Sequence, residues 1–257
     1  MANHSDIQFN YAQSTDVGCV RELNEDSVHS ESGLWLVADG MGGHACGEVA
    51  SALAIEEIRK AIVGGSNLDS AIQLAHTQII QAGNLDSSKN GMGTTIVALM
   101  SDDKNYYLSW VGDSRAYLWD QTQKTLAQIS QDHSLMVRLI SAGLITEEDA
   151  LTHPQRHMIT QCLGSAEIEQ VKVDSIEGEW EYQQQIVLCS DGLTDEASLT
   201  KIEQIMALDI SASEKNEQLI QLAKDSGGRD NISIIIVDSP IKNPLSLISK
   251  FRRFLGI

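Results

Sequence analysis

The sequence predicts an α+β fold in which antiparallel strands form a sandwich. Short apolar runs closed by turn residues recur along the chain, and several of them are spaced as hairpins. Amphipathic helix patterns are grouped in pairs between these runs, which is typical of helices that cover a sheet. The 257 residues are enough for one domain with a full core, and one domain is the expected organisation.

The first clear elements are a strand and two helices. Residues 34–38 (LWLVA) form an apolar run that is too short for a helix and is closed by Asp-Gly, which predicts a buried strand. Residues 48–63 carry an apolar stripe at helical spacing, and a Gly-Gly pair ends the pattern. The same spacing predicts a second helix at residues 68–82.

The remaining elements follow from strand and helix patterns of the same kind. Residues 143–164 are polar and contain histidines, which predicts an irregular, mobile surface segment. The other predicted elements are strands at 94–100 and 106–111, a hairpin at 116–119 and 125–129, a helix at 134–142, and strands near 168–176, 186–190 and 232–237, with two helices between the last two strands.

Charge and composition exclude several classes of protein. A formal net charge of −18 argues against nucleic-acid binding, because few cations are available to displace the counterions of a nucleic acid. The sequence has no signal-peptide pattern and no run of roughly 18 apolar residues, so we expect a cytoplasmic protein. The cysteines lack CxxC spacing, which predicts buried, reduced thiols and not a zinc site; they are Cys19, Cys46, Cys162 and Cys189.

Four aspartates share a position at the end of an apolar strand pattern. Asp39 and Asp191 each end such a run before a glycine, Asp113 follows another run, and Asp230 precedes the last one. Any one of them is explained as well by ordinary turn chemistry. Converging carboxylates would repel one another unless divalent cations neutralised them, and all-oxygen ligands suit Mg²⁺ or Mn²⁺.

A set of motifs gives the chain a resemblance to a known family. They are RELNEDS, LVADGMGGHACGE, GMGTT, VGDSRAYLW, QDHSL, HMITQCLG, LCSDGLTD and GGRDNISIIIV, in this order. The chain resembles the metal-dependent protein phosphatases, also called protein phosphatase 2C, and in particular their compact bacterial members. The resemblance extends to Asp238. It implies a four-layer α-β-β-α sandwich, with two antiparallel sheets flanked by helix pairs and a metal site at one end.

The resemblance also implies a set of metal ligands and a phosphate ligand. Two Mn²⁺ or Mg²⁺ ions are expected, with a third that binds more weakly. Arg21 corresponds to the phosphate-binding arginine of the family. The implied ligands are Asp39 as the bridge between two ions, the Gly40 carbonyl, Asp191 and Asp230 on the first ion, Glu25 and Asp26 on the second ion through water, and Asp113 and Asp195, with Asp191, on the third.

The implied reaction is hydrolysis of phosphoserine and phosphothreonine in proteins, opposing a bacterial-type serine/threonine kinase. Two close cations lower the pKa of a shared water, whose hydroxide can attack phosphorus directly. The planar guanidinium of Arg21 suits phosphoryl oxygens. Some relatives carry a histidine after the bridging Asp-Gly, but this chain has Met41. His44 and a metal-bound water remain the alternatives for protonating the leaving oxygen.

Residues 143–164 correspond to the segment called the flap in bacterial relatives. His153, Arg156 and His157 are candidate contacts for a phosphopeptide, and an ordinary surface loop is the alternative for each side chain. Beyond a catalytic domain at residues 1–238, residues 239–257 form an amphipathic, basic tail. Such a tail can dock on the domain, bind a partner or contact a membrane surface.

Other functions fit the sequence less well. A related phosphatase that acts on a single regulator would differ only in its substrate range. A pseudophosphatase that serves as a binding module would have lost metal carboxylates, whereas Asp39, Asp191 and Asp230 are present together with Arg21. A monomer is the default expectation for the oligomeric state.

Overall fold

The computed structural model describes residues 9–31, 33–42, 46–102 and 104–242. Its elements alternate between strands and helix pairs, as the sequence predicts. The strands are β1 Tyr11–Asp16, β2 Asp26–Glu31, β3 Leu34–Met41, β4 Gly93–Thr94, β5 Ile96–Ser101, β6 Asn105–Val111, β7 Arg115–Asp120, β8 Thr125–Gln128, β9 Asp174–Glu179, β10 Gln184–Cys189 and β11 Ile232–Asp238. The helices are α1 Gly47–Val63, α2 Leu68–Leu85, α3 Leu135–Ser141, α4 Glu147–Thr152, α5 Asp191–Thr194, α6 Leu199–Met206 and α7 Ala212–Asp225, with a 3₁₀ turn at Ser87–Lys89.

The strands form two antiparallel sheets. The first sheet has the order β1-β11-β10-β7-β8, and the second has the order β2-β3-β5-β6-β9 with β4 paired to β3. Neighbours within each sheet run antiparallel, so the α+β sandwich is confirmed.

The helix pairs cover the outer faces of the sheets, and the core lies in three layers. Alternate residues of β3 point to opposite faces, so Leu36 packs under α1 and α2 while Trp35 and Val37 face the other sheet. In β11, Ile234 packs under α6 and α7 and Ile235 faces the second sheet. Burial on both faces explains why these strands read as continuous apolar runs.

Several details differ from the sequence prediction. The strand expected near residues 168–176 lies at Asp174–Glu179, because the Ile168 carbonyl instead meets Nε2 of buried His76 at 3.0 Å. The flap, expected to be irregular, contains α4, whose first turn is fixed by a capping box between Thr146 and Asp149. A short helix, α5, precedes the two helices expected between the last strands.

Strands β1 and β2 had no counterpart in the sequence prediction. They are edge strands with polar residues, such as YAQSTD in β1, so they lack the apolar run that marks the central strands. The cysteines also differ in burial, because Cys19 is exposed and Cys162 only partly buried. No helix in the described part of the chain is long and apolar enough to cross a membrane. Most of the predicted tail, residues 243–257, lies outside the described residues.

Candidate metal and phosphate site

Two candidate ligands face each other across the second sheet. Asp26 begins β2, and Asp39 lies directly opposite it near the end of β3. Opposite residues of an antiparallel pair project to the same face, with their Cβ atoms about 4.5–5.5 Å apart. Asp39 has the same parity as Trp35 and Val37, so strand alternation directs both carboxylates into the space between the sheets.

The first sheet supplies carboxylates to the same end of the sandwich. Asp191 is the first residue of α5, directly after β10, and Asp230 stands two residues before β11. The Asp191 side chain is within hydrogen-bonding reach of Asp39. Across the sheets, Ser190 Oγ donates to Asp26 Oδ2 at 2.8 Å. The structure therefore brings together candidate ligands that lie far apart in the sequence.

Asp113 joins this group from the connection between β6 and β7. It is an electrostatic neighbour of both Asp39 and Asp191. We refer to Asp26, Asp39, Asp113, Asp191 and Asp230 as the carboxylate cluster. Its members come from both sheets and from the link between the sheets.

Burial and mutual repulsion raise the proton affinity of the cluster. Burial, reinforced by the neighbouring carboxylates, raises the pKa of Asp26 and of Asp113 to about 7 and that of Asp191 to about 6. The same two causes raise the pKa of Asp39 well above its ordinary value. A buried group of like charges at one end of a fold is costly to keep ionised.

The chemistry of this donor set fits hard divalent cations. Carboxylate oxygens suit Mg²⁺ and Mn²⁺, and a cation would offset the repulsion within the cluster. In the described residues, no three His, Cys, Asp or Glu side chains are already arranged to hold a metal ion. The cluster thus supplies the donor type and the charge that such a cation requires.

The backbone of Asp39 is held by the threonines of GMGTT. Thr94 Oγ1 donates to the Asp39 carbonyl at 2.9 Å, and the Thr95 amide donates to the same carbonyl at 2.8 Å. The Asp39 amide in turn donates to Thr95 Oγ1 at 3.1 Å, and that hydroxyl lies 2.7 Å from Ser114 Oγ. These contacts fix Asp39 relative to the residue after Asp113.

Asn231 clamps the loop that carries Arg21. Its Nδ2 donates to the carbonyls of Val17 and Leu23, each at 3.0 Å, and its Oδ1 accepts from the Glu25 amide at 2.8 Å. Asn231 is only 4% exposed, so these bonds are shielded from water. One buried amide thereby closes both ends of a surface loop and places Glu25.

Arg21 lies at the edge of the cluster. Its Nη2 donates to Asp230 Oδ2 at 2.7 Å, while the two side chains keep 48% and 38% of their exposure. The arginine is also an electrostatic neighbour of Glu25 and Asp39. A half-exposed guanidinium beside buried carboxylates can receive an anion from solvent.

Gly40, Gly47 and Glu25 meet in a tight contact. The Gly40 amide donates to the Glu25 carbonyl at 3.2 Å, and Glu25 Oε1 accepts from the Gly47 amide at 3.2 Å. A Cβ atom on Gly40 would lie 2.2 Å from the Gly47 carbonyl oxygen, which no side chain tolerates. Glycine is therefore required beside Asp39. His44, one of the alternatives for the general acid, lies outside the described residues.

The flap reaches the site through one histidine. His157 Nδ1 lies 3.0 Å from Asp195 Oδ2, with both side chains well exposed. Arg156 is an electrostatic neighbour of Asp195, and burial raises the pKa of that carboxyl. His153 is turned to its own loop, where Nδ1 accepts from the Gln155 amide at 3.1 Å. Of the three candidate flap residues, two therefore lie near the site.

Sequence reasoning assigned no role to several residues that organise the site. Each stands next to a candidate carboxylate in the sequence: Asn231 follows Asp230, Ser190 precedes Asp191, and Ser114 follows Asp113. Each directs its side chain to another part of the site. A short polar residue adjacent to a predicted ligand is a signal that could have identified them.

Comparison with known proteins identifies relatives of this chain. The family model described as "Protein phosphatase 2C" matches residues 20–224, which is more than half of the chain. The serine/threonine phosphatase Stp of Listeria welshimeri is 35% identical over 240 residues, covering 87% of this chain and 93% of its own.

Solved structures show the same similarity. The serine/threonine phosphatase PstP/Ppp of Mycobacterium tuberculosis superimposes with a TM-score of 0.82 at 34% identity, over 90% of this chain and 98% of the other. The catalytic domain of PstP in complex with two manganese ions gives a TM-score of 0.78 at 33% identity, over 90% and 97% of the two chains. The chain therefore belongs to the protein phosphatase 2C family.

Proposed function

We propose that the chain is a metal-dependent protein phosphatase that hydrolyses phosphoserine and phosphothreonine in proteins. The observation that carries the proposal is the carboxylate cluster at the ends of the two sheets, whose members are buried or half-buried, with the Arg21 guanidinium at its edge. Similar chains bear the name serine/threonine phosphatase, and one similar structure holds two manganese ions.

The proposed cofactor is a pair of Mn²⁺ or Mg²⁺ ions, with a third that binds more weakly. Asp39 would bridge the pair, which suits its central position in the cluster. Asp26 and Asp191 flank it from the two sheets. The remaining proposed ligands are the Gly40 carbonyl and Asp230 on the first ion, Glu25 on the second, and Asp113 and Asp195 on the third.

When bound, the two ions would lower the pKa of a shared water and so provide a hydroxide near neutral pH. The residues of the chain bind and orient the other reactant. Arg21 holds the phosphoryl oxygens through two parallel donors, and its contact with Asp230 fixes the head of the side chain. Asn231 keeps the Arg21 loop and Glu25 at a constant distance from the cluster. Such positioning is a main source of rate in phosphoryl transfer.

The cellular setting is part of the same proposal. Phosphoproteins made by a serine/threonine kinase would be the substrates, in the cytoplasm and with the enzyme as a monomer. The formal net charge of −18 supports a protein substrate over nucleic acid.

The test is phosphate release from para-nitrophenyl phosphate and from a phosphothreonine peptide. The protein is stripped with EDTA and assayed before and after Mn²⁺ or Mg²⁺ is restored. We expect release from both substrates only with the ion present. Asp209→Asn removes an exposed carboxylate outside the cluster and should keep the ion-dependent activity of the wild type. It is the matched control for Asp→Asn substitutions within the cluster. A folded protein that releases no phosphate with either ion would contradict the proposal and favour a binding module.

A further inference from the structure

The loop that carries Arg21 exposes aliphatic side chains. Val17, Val20 and Leu23 keep 37%, 65% and 47% of their surface accessible. All three lie within residues 17–23, so they form a local concentration and not scattered exposure. Apolar groups displayed together on a surface commonly mark a place where another molecule binds.

This loop cannot bury these side chains by rearranging. Asn231 holds the carbonyls at both of its ends, and the Cys19 amide donates to the Gly228 carbonyl at 2.7 Å. Gly18 has a positive φ of 80°, and a Cβ atom there would lie 2.2 Å from the Asp230 carbonyl oxygen. The backbone is therefore packed against the segment that carries Asp230, and among the described residues none covers the three aliphatic side chains.

The position of the loop identifies the ligand. Val20 adjoins Arg21 in the chain, and Leu23 is two residues away, so their Cα atoms lie within about 8 Å of that of Arg21. An extended peptide advances roughly 3.3 Å per residue. A peptide whose phosphate is bound by Arg21 thus brings the residues within about three positions of the phosphorylated one into the neighbourhood of the loop that carries Val20 and Leu23.

We propose that Val20 and Leu23 determine specificity by contacting an aliphatic side chain of the substrate close to its phosphorylated residue. The preferred substrates are then phosphoserine or phosphothreonine segments with Leu, Ile, Val or Met within three residues of the phosphate. This inference rests on the proposed function, since it takes Arg21 as the phosphate ligand. The contact gains free energy by removing apolar surface from water on both partners.

The test uses phosphothreonine peptides in a Gly/Ser background. A single leucine is placed in turn at each of the three positions before and after phosphothreonine, with glutamine at the same place as the polar reference of similar length. For the wild-type enzyme with Mn²⁺, we expect the leucine peptide to be favoured about tenfold in kcat/KM at one or more positions, mainly through KM.

Variants connect that preference to the loop. In Val20→Ser/Leu23→Ser the ratio of kcat/KM for the leucine peptide to that for the glutamine peptide should fall to about one, because the substrate's aliphatic group no longer has an apolar partner that removes it from water. Leu208→Ser is the matched control, since Leu208 is 41% exposed and lies just beyond α6, and it should keep the wild-type ratio. Both substituted side chains of the double variant are exposed, so thermal melting should show an intact fold.

Two results would overturn the inference. One is a ratio near one at every position in the wild type, and the other is a preference that persists in the double variant. Hydrolysis of para-nitrophenyl phosphate separates this failure from failure of the proposed function, because that substrate has no flanking residues. A wild type that cleaves it but shows no leucine preference contradicts the specificity inference alone.

Discussion

The two walls of the candidate site are held in different ways. The Arg21 loop is fixed by backbone contacts and by the buried amide of Asn231. The flap is anchored near its C-terminal end, where Ile159 bridges to Ser134 and Leu163 bridges to Thr94. Its direct side-chain link to the cluster region is the exposed His157–Asp195 pair.

The two walls differ in how much free energy of stabilisation each attachment contributes. Shielded hydrogen bonds contribute about 1 kcal/mol each, and leaving their partners unpaired costs more. An exposed ion pair contributes roughly 0–1 kcal/mol. The structure thus combines a preformed wall for the phosphate with a second wall whose central part is weakly attached.

The largest effect on activity is expected from changes in the carboxylate cluster. Asp39→Asn or Asp191→Asn removes charge from the centre of the carboxylate cluster and should lower kcat about 1,000-fold or more at saturating Mn²⁺. Steady-state kinetics on para-nitrophenyl phosphate measures it. Full activity in either variant would contradict the assignment of Asp39 and Asp191 as metal ligands.

The fixed wall should respond strongly to loss of its clamp. Asn231→Ala removes three hydrogen bonds and leaves two carbonyls and one amide without this partner, which we expect to cost about 2–4 kcal/mol in the free energy of unfolding. Urea denaturation measures that loss. Hydrogen exchange should speed up in residues 17–25 and stay unchanged in the flap. Equal acceleration in both walls would show that they are not independent.

The pH dependence of stability tests the ionisation of the carboxylate cluster. The folded-state pKa values of Asp26, Asp113 and Asp191 lie near 7, 7 and 6, against an ordinary 3.8. Between these limits the folded chain holds protons that the unfolded chain has released, so the stability of the metal-free protein falls as the pH rises. We expect a melting temperature at least about 4 °C lower at pH 7.5 than at pH 5.5.

Added Mn²⁺ should reverse this loss at pH 7.5, because a cation favours the ionised cluster. Asp26→Asn in the metal-free protein should flatten the pH profile. A wild-type profile that stays level from pH 5.5 to 7.5 would argue that the cluster is not buried as a group.

The smallest effect is expected from the attached histidine of the flap. His157→Ala breaks a pair between exposed groups and should change the free energy of unfolding by less than about 1 kcal/mol. Hydrogen exchange within residues 147–158 should accelerate, with no change in the Arg21 loop. His153→Ala is the control, since His153 contacts only its own loop among the interactions described for its side chain. Unaltered flap exchange in His157→Ala would remove this histidine as a tether.

The sequence predicted the central strands and the aspartates better than it predicted the support around them. Asp39 was visible because a buried apolar run ends beside it, and runs of that kind arise when both faces of a strand are covered. Asn231 was not, since its role depends on three partners distant in the sequence. Strand β1 was not predicted for a related reason. Its residues are polar, and it pairs with β11, which lies more than 200 residues later in the sequence.

β11, the last strand among the described residues, has a further consequence through its place in the first sheet. β11 lies between β1 and β10, so these two strands cannot become parts of one sheet until residues 232–238 have been made. Asp230 and Asn231, which complete the cluster and the clamp, precede it directly. During synthesis, which delivers the chain from its N-terminus, a ribosome-bound product that stops before β11 lacks both a closed sheet and a site. On the proposed function, the nascent enzyme is therefore inactive toward phosphoproteins until residues 230–238 have emerged from the ribosome.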